Sequence, residues 1–512
     1  MFQAERNWPL KKSFFATAFR YQYCLSRTEE DIFSFSHVQV GNWHLHTGNA
    51  LPRYPLMDQA GTQIGYVLGV AVDEEKLITE DNSTLPISAS SSSFWDDWER
   101  YLVNVAGRYA FIIWHNGATR LYCDPAGMIG VVYNSEDKYV AASLLLALKR
   151  PVRPNPLFDF DLIRDEGGKL SLFHTADDTV KRLNPNYFLD LDTFETKRFW
   201  PKDEVFAVED NMYDRTYEEI ISRLSFNIEK IADRHPVSMP ITGGQDSRIL
   251  LGAARNFLGK IDQIYTHINN WSTWRDSQVA AALTELYGRQ LEVHDRENHN
   301  PKKWELNKVQ RAFNITFGVE ATAPTEYLNG VVNDLIDGSV VLRGHHTDIL
   351  RAVYVFQEKS QWKNFGWQIK RLLITPFKKF DSHVVRKFTP DFARWQKTLP
   401  DNAMEKAADF MFLEIYYNST VGATFPALWR NFYMSPFSSR KLISLSLSFD
   451  DSYRRRSFSV FDIIRKMDPK LEELPFDFEY KTEEFLKDKE AGTLSNLTQE
   501  RTSETEIRLK RA

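Results

Sequence analysis

Cysteine is nearly missing from this 512-residue chain: only Cys24 and Cys123 occur, far apart and with no CxxC spacing or Cys/His cluster around them. That excludes a disulfide framework and argues against zinc and iron–sulfur sites. No run approaches the ~20 apolar residues a membrane-spanning helix needs. The opening Met1-Phe2-Gln3-Ala-Glu-Arg lacks the apolar stretch of a secretory signal, so a cytoplasmic protein without membrane contact is expected. A basic excess is also missing. Lys+Arg total 64 against 69 Asp+Glu, a formal charge of −5, which disfavours nucleic acid as a partner. No internal repeat of fixed period is present. Aromatics, by contrast, make up 14% of the chain, too many for a disordered protein, and the length is enough for two or three domains with real cores.

The first part of the chain reads as β-rich. Short apolar segments such as Gly65-Tyr-Val-Leu-Gly-Val-Ala-Val and Arg108-Tyr-Ala-Phe-Ile-Ile-Trp are bounded by turn residues, and His115-Asn116-Gly117-Ala-Thr is a hairpin signal. Ser92-Ser-Phe-Trp-Asp-Asp-Trp-Glu-Arg-Tyr-Leu fits a capped amphipathic helix that follows a serine-rich loop. A boundary is expected near Trp200-Pro201. Beyond it, strands (Val237-Ser-Met-Pro-Ile, Gln263-Ile-Tyr-Thr-His-Ile, Gln290-Leu-Glu-Val-His) alternate with helical patterns. That alternation implies a parallel sheet with helices on both faces. From about residue 360 the pattern is mostly helical. The basic clusters Lys378-Lys379, Arg454-Arg455-Arg456 and Arg508-Leu-Lys510-Arg511 read as solvated faces.

One segment carries chemistry. Thr242-Gly243-Gly244-Gln245-Asp246-Ser247-Arg248 lies between an apolar strand and a helix. Its glycines let backbone approach an anion closely, and the helix start offers free N–H groups and a positive dipole end. Thr242 and Ser247 add hydroxyls, a composition that suits a polyphosphate. The string is neither GxxxxGKS/T nor GxGxxG.

The segment resembles the SGGxDS pyrophosphate loop of N-type ATP pyrophosphatases, the group that includes asparagine synthetases and GMP synthetases, with Thr242 in place of the first Ser. The resemblance implies that the 242–247 loop holds the phosphates of ATP and that Asp246 helps position Mg²⁺. It places Tyr265-Thr-His267-Ile where the family presents backbone to adenine, and Asp276 at a customary acidic position. Val340-Val-Leu-Arg343-Gly344-His345-His346-Thr347-Asp348 is similar to the family's SGxGxDE signature, which makes Asp348 the second Mg²⁺ ligand. Two carboxylates plus phosphate oxygens suit the octahedral oxygen shell of Mg²⁺. Ser435-Pro436-Phe437-Ser438-Ser439-Arg440-Lys441-Leu442 resembles the P-F-L-D-R-x-L segment, and Lys481 falls near the family's charge-stabilising lysine.

The front of the chain resembles class II glutamine amidotransferase domains. Gly107-Arg108-Tyr-Ala-Phe111-Ile-Ile-Trp114, Asp124-Pro125-Ala-Gly127 through Tyr133, Lys181 through Tyr187, and Arg198-Phe-Trp200 carry that likeness. A working glutaminase of this class uses an N-terminal cysteine; here the chain reads Met1-Phe2-Gln3, and the two internal cysteines read as buried structural residues. A front domain without glutaminase activity is therefore expected, the same loss as in β-lactam synthetases and lasso-peptide cyclases. In the second loop, His345 stands where asparagine synthetases carry Glu. It is either a base for an attacking amine or a phosphate-facing donor. Arg248, also unusual for the family, pairs with a substrate carboxylate or phosphate or else reaches solvent. Asn270-Trp271 and Trp274 read as packing.

The fold expected is α/β throughout: an Ntn-hydrolase-like α/β sandwich over 1–205, a parallel-sheet ATP-pyrophosphatase domain with helical elaboration over 210–490, and a polar tail over 491–512. The chemistry implied is ATP- and Mg²⁺-dependent adenylation of a carboxylate followed by amide formation. An ammonia-fed asparagine synthetase and a non-catalytic nucleotide- or partner-binding descendant stand beside it. The partners implied are a small-molecule or peptide carboxylate and an amine or ammonia donor, with a homodimer or a pathway partner protein in addition. Residues 317–326, just before the second signature, are a candidate substrate lining.

Overall fold

The computed structural model describes residues 1–166, 168–355, 364–373 and 382–479. Up to Arg198 it is built on two six-stranded antiparallel sheets. One contains Tyr23–Ser26, Ser36–Val40, Trp43–Thr47, Val132–Asn134, Tyr139–Ala141 and Val180–Arg182; the other contains Arg53–Met57, Gln63–Val72, Ala106–His115, Ala118–Cys123, Tyr187–Asp190 and Thr196–Arg198. Their inner faces share one apolar layer, in which Leu25, Leu45 and Val140 of the first meet Leu68, Ile112 and Leu121 of the second. The expected hairpin is present. Asn116 and Gly117 take φ of 48° and 81° and close the turn between His115 and Ala118, the positive angles that a tight two-residue hairpin requires. The helix Phe94–Asn104 follows the serine run and buries Trp98 edge-on against Phe111 and Tyr122.

After the 20-residue helix Tyr213–Ala232, the chain enters a five-stranded parallel sheet. Its central strands are short and largely apolar because helices cover both faces; Val237, Met239, Val341 and Leu342 are fully buried. The spatial order is Glu292–Asp295, Gln263–Ile268, Val237–Pro240, Val340–Leu342, Phe432–Met434. The last of these is a strand within the stretch expected to be mostly helical. Phe432–Met434 is only three residues long, too short for a period-two signal, and its pairing with Val340–Leu342 fixes it as a strand. The fold class is α/β as expected.

The two halves are joined by buried polar contacts. The Gly107 N–H donates to the Ser438 carbonyl at 3.0 Å. Arg440, fully buried, donates to the carbonyls of Cys123 (2.9 Å) and Pro185 (2.6 Å) and to Asn186 Oδ1 (3.0 Å). Glu414, also fully buried, accepts from Asn184 (2.9 Å), Asn186 (2.9 Å), Arg198 Nη2 (2.8 Å) and the Trp395 indole (2.7 Å). Trp200, at the expected boundary, is buried against Phe206 and Phe410.

One charge reading is corrected. Arg454 does not lie on a solvated face. It is fully buried, held by both oxygens of Asp409 (3.1 and 2.7 Å) and by Asp451 (2.7 Å), and it donates to the Ile349 carbonyl at 2.8 Å. Sequence clustering of arginines says nothing about which one turns inward, and the distant Asp409 is what makes burial of the charge tolerable. Lys378-Lys379, Lys481 and the 491–512 tail lie outside the described residues.

Candidate active site

In an open parallel sheet the chain order of the strands reverses at one place, and the crevice beyond the carboxyl ends there is open because flanking helices leave to opposite faces. Here the order reverses between Val237–Pro240 and Val340–Leu342. The 242–247 and 343–348 loops are the segments that leave those two carboxyl ends. Sequence spacing alone placed both motifs after strands; the topology places them side by side.

The first loop is closed by its own hydroxyls. Ser247 Oγ donates to the carbonyls of Thr242 (2.9 Å) or Gly244 (3.1 Å), and Thr242 Oγ1 accepts from the Gly244 N–H at 3.1 Å. Gly243 N–H donates to Asp276 Oδ1 at 3.3 Å, so Asp276 braces the turn from the neighbouring helix Trp271–Glu285. Gly244 caps the helix Gln245–Ala254 in extended conformation. The first turn of a helix leaves N–H groups without intrahelical partners, and Gln245 and Asp246 open this one.

The two loops touch. A Cβ on Gly344 would lie 2.6 Å from the Cβ of Asp246, so glycine is required there by contact. Asp246 accepts from Thr347 Oγ1 at 2.7 Å and, through both oxygens, from Arg351 Nη2 at 2.9 Å. Arg351 also donates to Asp348 Oδ1, and Asp348 Oδ2 accepts from the Tyr417 hydroxyl. The two aspartates singled out in the sequence thus converge on one guanidinium. Burial pushes the Asp246 carboxyl above its usual range, with Arg351 opposing that shift and Asp348 adding to it. Burial, reinforced by Asp348, pushes the Tyr417 hydroxyl well above its ordinary value. Tyr417 ends a π-helical stretch, Met411–Tyr417, a geometry frequent at functional sites.

Oxygen donors converging from two carboxylates, with a threonine hydroxyl beside them, are the hard ligand set that Mg²⁺ takes. The residues fit such an ion, and Arg351 would have to move aside or share the position.

The other expected site residues are distributed as follows. His345 Nδ1 is buried without a partner, and burial, with the charge of Arg343 and then His346, holds the imidazole well below its ordinary pKa. That shift makes it a weaker proton acceptor than a solvated imidazole. His346 stands at φ 72° with both ring nitrogens buried and unpartnered, its pKa lowered to about 3 by burial. His267 lies on Gln263–Ile268, its ring tilted against those of Tyr265 and His294, with Nε2 buried and its pKa lowered to about 3 by burial, then by His294. Arg248 does not reach solvent. It is fully buried and donates to the carbonyls of Leu471 (2.6 Å), Leu474 (2.7 Å) and Gly243 (3.2 Å), with its guanidinium 3.8 Å from the Phe476 ring. It clamps the 471–475 segment to the turn. Trp271 is packed and Trp274 is 40% exposed. Cys24 and Cys123 are buried, and burial pushes both thiols up.

Thr347, Arg351 and Tyr417 were not singled out in the sequence. Arg351 follows Asp348 at the i+3 spacing of the short helix Thr347–Arg351, a signal that was legible. Tyr417 is brought in by tertiary folding alone.

The loop contact yields a prediction. Gly344→Ala should separate the loops by several tenths of an ångström and loosen the Asp246–Arg351 pair, because the atom met is the root of a side chain rather than a flexible end. A crystal structure of the variant checks it; unchanged Asp246–Arg351 distances would refute it.

No protein-family model matches the chain, and no curated protein matches it. Among solved structures, the U34-tRNA thiolase NcsA from Methanococcus maripaludis with its 4Fe-4S cluster is similar at 15% sequence identity, covering 51% of this chain and 82% of that chain, with a TM-score of 0.18. At that TM-score the likeness says nothing about the fold or chemistry of this chain. Among the described residues, no helix is long and apolar enough to cross a membrane.

Proposed function

We propose that this protein is an ATP- and Mg²⁺-dependent amide-forming ligase of the asparagine-synthetase type. It would adenylate a substrate carboxylate, with release of pyrophosphate, and pass the acyl group to an amine or ammonia with release of AMP. The observation that carries the reading is the meeting of a glycine turn, a helix start and two aspartates at the one place where the parallel sheet reverses its strand order. The 242–247 turn would receive the phosphates. Asp246 and Asp348 would hold Mg²⁺, which when bound supplies charge neutralisation for the phosphate oxygens. The chain's own contribution is positioning and preorganised charge: Asp276 and Ser247 fix the turn, Arg454 holds the carbonyl that follows Asp348, and Tyr417 orients the Asp348 carboxylate. Neither buried cysteine is placed as a nucleophile, in keeping with a ligase that draws its nitrogen from a substrate amine, as β-lactam synthetases and lasso-peptide cyclases do. The carboxylate partner is a small molecule or a peptide.

One observation favours a second reading. Arg351 already pairs with both aspartates, an arrangement that a nucleotide-binding descendant without catalysis would tolerate. Exchange of labelled pyrophosphate into ATP, measured with Mg²⁺ across a panel of carboxylates that includes aspartate, separates the two. Exchange dependent on one carboxylate is the result expected of the ligase. Exchange with aspartate, followed by asparagine formation with ammonium, would specify an ammonia-fed asparagine synthetase. ATP binding without exchange would overturn the ligase reading.

A further inference from the structure

A cavity of about 310 Å³ lies between the two halves of the chain, away from the 242–247 turn. Leu144, Lys169 and Arg182 line it from one side and Phe317, Thr420 and Ala423 from the other. Part of its wall is the 317–322 stretch that the sequence marked as a candidate lining. We propose that this cavity is a binding site for a small organic carboxylate with an apolar body.

The case rests on this cavity bringing together two cations that have no counter-ion among the described residues. Among the described residues, Lys169 has no carboxylate partner; its ammonium stands 5.3 Å from the Tyr416 ring centre, and burial alone lowers its pKa. Among the described residues, the Arg182 side chain makes one hydrogen bond, to the Gly422 carbonyl at 3.3 Å, and its Nε is buried with no partner. Burial alone acts on it as well, lowering its pKa to about 10. No acidic side chain is among the described lining residues; Arg164, near the mouth, already pairs with Asp161 at 2.8 Å. Charges taken out of water without a partner are costly, and a bound anion removes that cost.

The neutral groups of the wall define the rest of the ligand. The hydroxyls of Ser419 and Thr420 donate to the Tyr416 carbonyl (3.0 and 2.7 Å), and that of Thr175 donates to the Val180 carbonyl (2.8 Å). The protons of these three are therefore spent, and the two cations are the charged groups an anion would meet. Leu144, Phe317, Val319, Ala321 and Ala423 supply an apolar wall, with the hydroxyl-bearing Thr322 and Thr424 beside it. One charged end and one apolar end describe a carboxylic acid, whereas inorganic phosphate lacks the apolar body. The volume sits at the low end of the ~300–1,000 Å³ typical of small-molecule sites. The site does not depend on the nucleotide reading, though Tyr416, beside the Lys169 ammonium, precedes the Tyr417 that holds Asp348.

Isothermal titration of the full chain without nucleotide, with butanoate, hexanoate, benzoate and glutarate and separately with inorganic phosphate, at constant ionic strength in chloride, tests this. Saturable binding of at least one carboxylate is expected. It should weaken about tenfold or more in Lys169→Met and in Arg182→Gln, the loss of one charge-assisted hydrogen bond. Lys169→Met removes no described hydrogen bond of the folded chain, so it remains informative if the Arg182 variant folds poorly. Silence across the carboxylates, binding of phosphate alone, or unchanged affinity in Lys169→Met would overturn the proposal. Because ATP is absent from the experiment, its failure leaves the ligase reading untouched, and a failed pyrophosphate exchange leaves this one untouched.

Discussion

Asp246→Asn is expected to lower carboxylate-dependent pyrophosphate exchange by more than about a hundredfold while leaving the chain folded. The size follows from what the carboxylate does. Preorganised charge next to transferring phosphates is usually the largest single contribution to such a site, worth roughly 10²–10³ per group. The fold should survive because the side chain's partners, Thr347 and Arg351, keep other acceptors: Thr347 Oγ1 also faces the Gly344 carbonyl at 2.6 Å, and Arg351 retains Asp348. Asparagine fills the same volume beside Gly344. Exchange assays together with circular dichroism check both halves. Activity within a few-fold of wild type would remove Asp246 from the proposed chemistry, whatever ATP affinity remained.

Glu414→Ala should destabilise the protein by about 3–5 kcal/mol, the range seen when one partner of a buried ion pair is deleted. Glu414 is fully buried, and the side chain of its partner Arg198 is 9% exposed. Removing the carboxylate strands that guanidinium and also leaves the Trp395 indole and the amides of Asn184 and Asn186 without their acceptor. Denaturant unfolding followed by circular dichroism measures the loss, and a loss under about 1 kcal/mol would refute the assignment. Replacing Arg198 by Met in the same background should recover part of it, since the stranded charge is most of the penalty. The pH dependence has a definite sign. Burial opposes ionisation of Glu414, but Arg198 and the amide donors outweigh it and hold the pKa below its usual value. A depressed folded-state pKa gives stability that is fully present above the unfolded value, about 4.3, and is lost as pH falls through the folded value. Wild type should therefore weaken in acid below about pH 4 more steeply than Glu414→Gln.

The resemblance that the sequence carries, spread from Gly107 to Leu442, was legible because its motifs are local. A glycine pair before an aspartate at a strand–helix junction, or an Asn-Gly pair between two apolar runs, is a statement about a few consecutive φ/ψ angles and needs no distant partner. The alternation of apolar strands and helical patterns from residue 237 onward is equally local, and it fixed the parallel sheet.

What the sequence by itself determined is thus the class of fold, the glycine turn and the hairpin at Asn116-Gly117; it also singled out Asp246 and Asp348. Only the tertiary structure decided which side chains those aspartates meet. Arg351 and Tyr417 close the site, Arg454 turns inward to Asp409, Arg248 clamps the chain rather than reaching solvent, and the three residues Phe432–Met434 become a strand by pairing with Val340–Leu342. The physical reason is one of range. Backbone propensity and hydrophobic period act over a few residues, whereas the burial of a charge or the pairing of a very short strand is settled by a partner that the chain brings from far away in sequence.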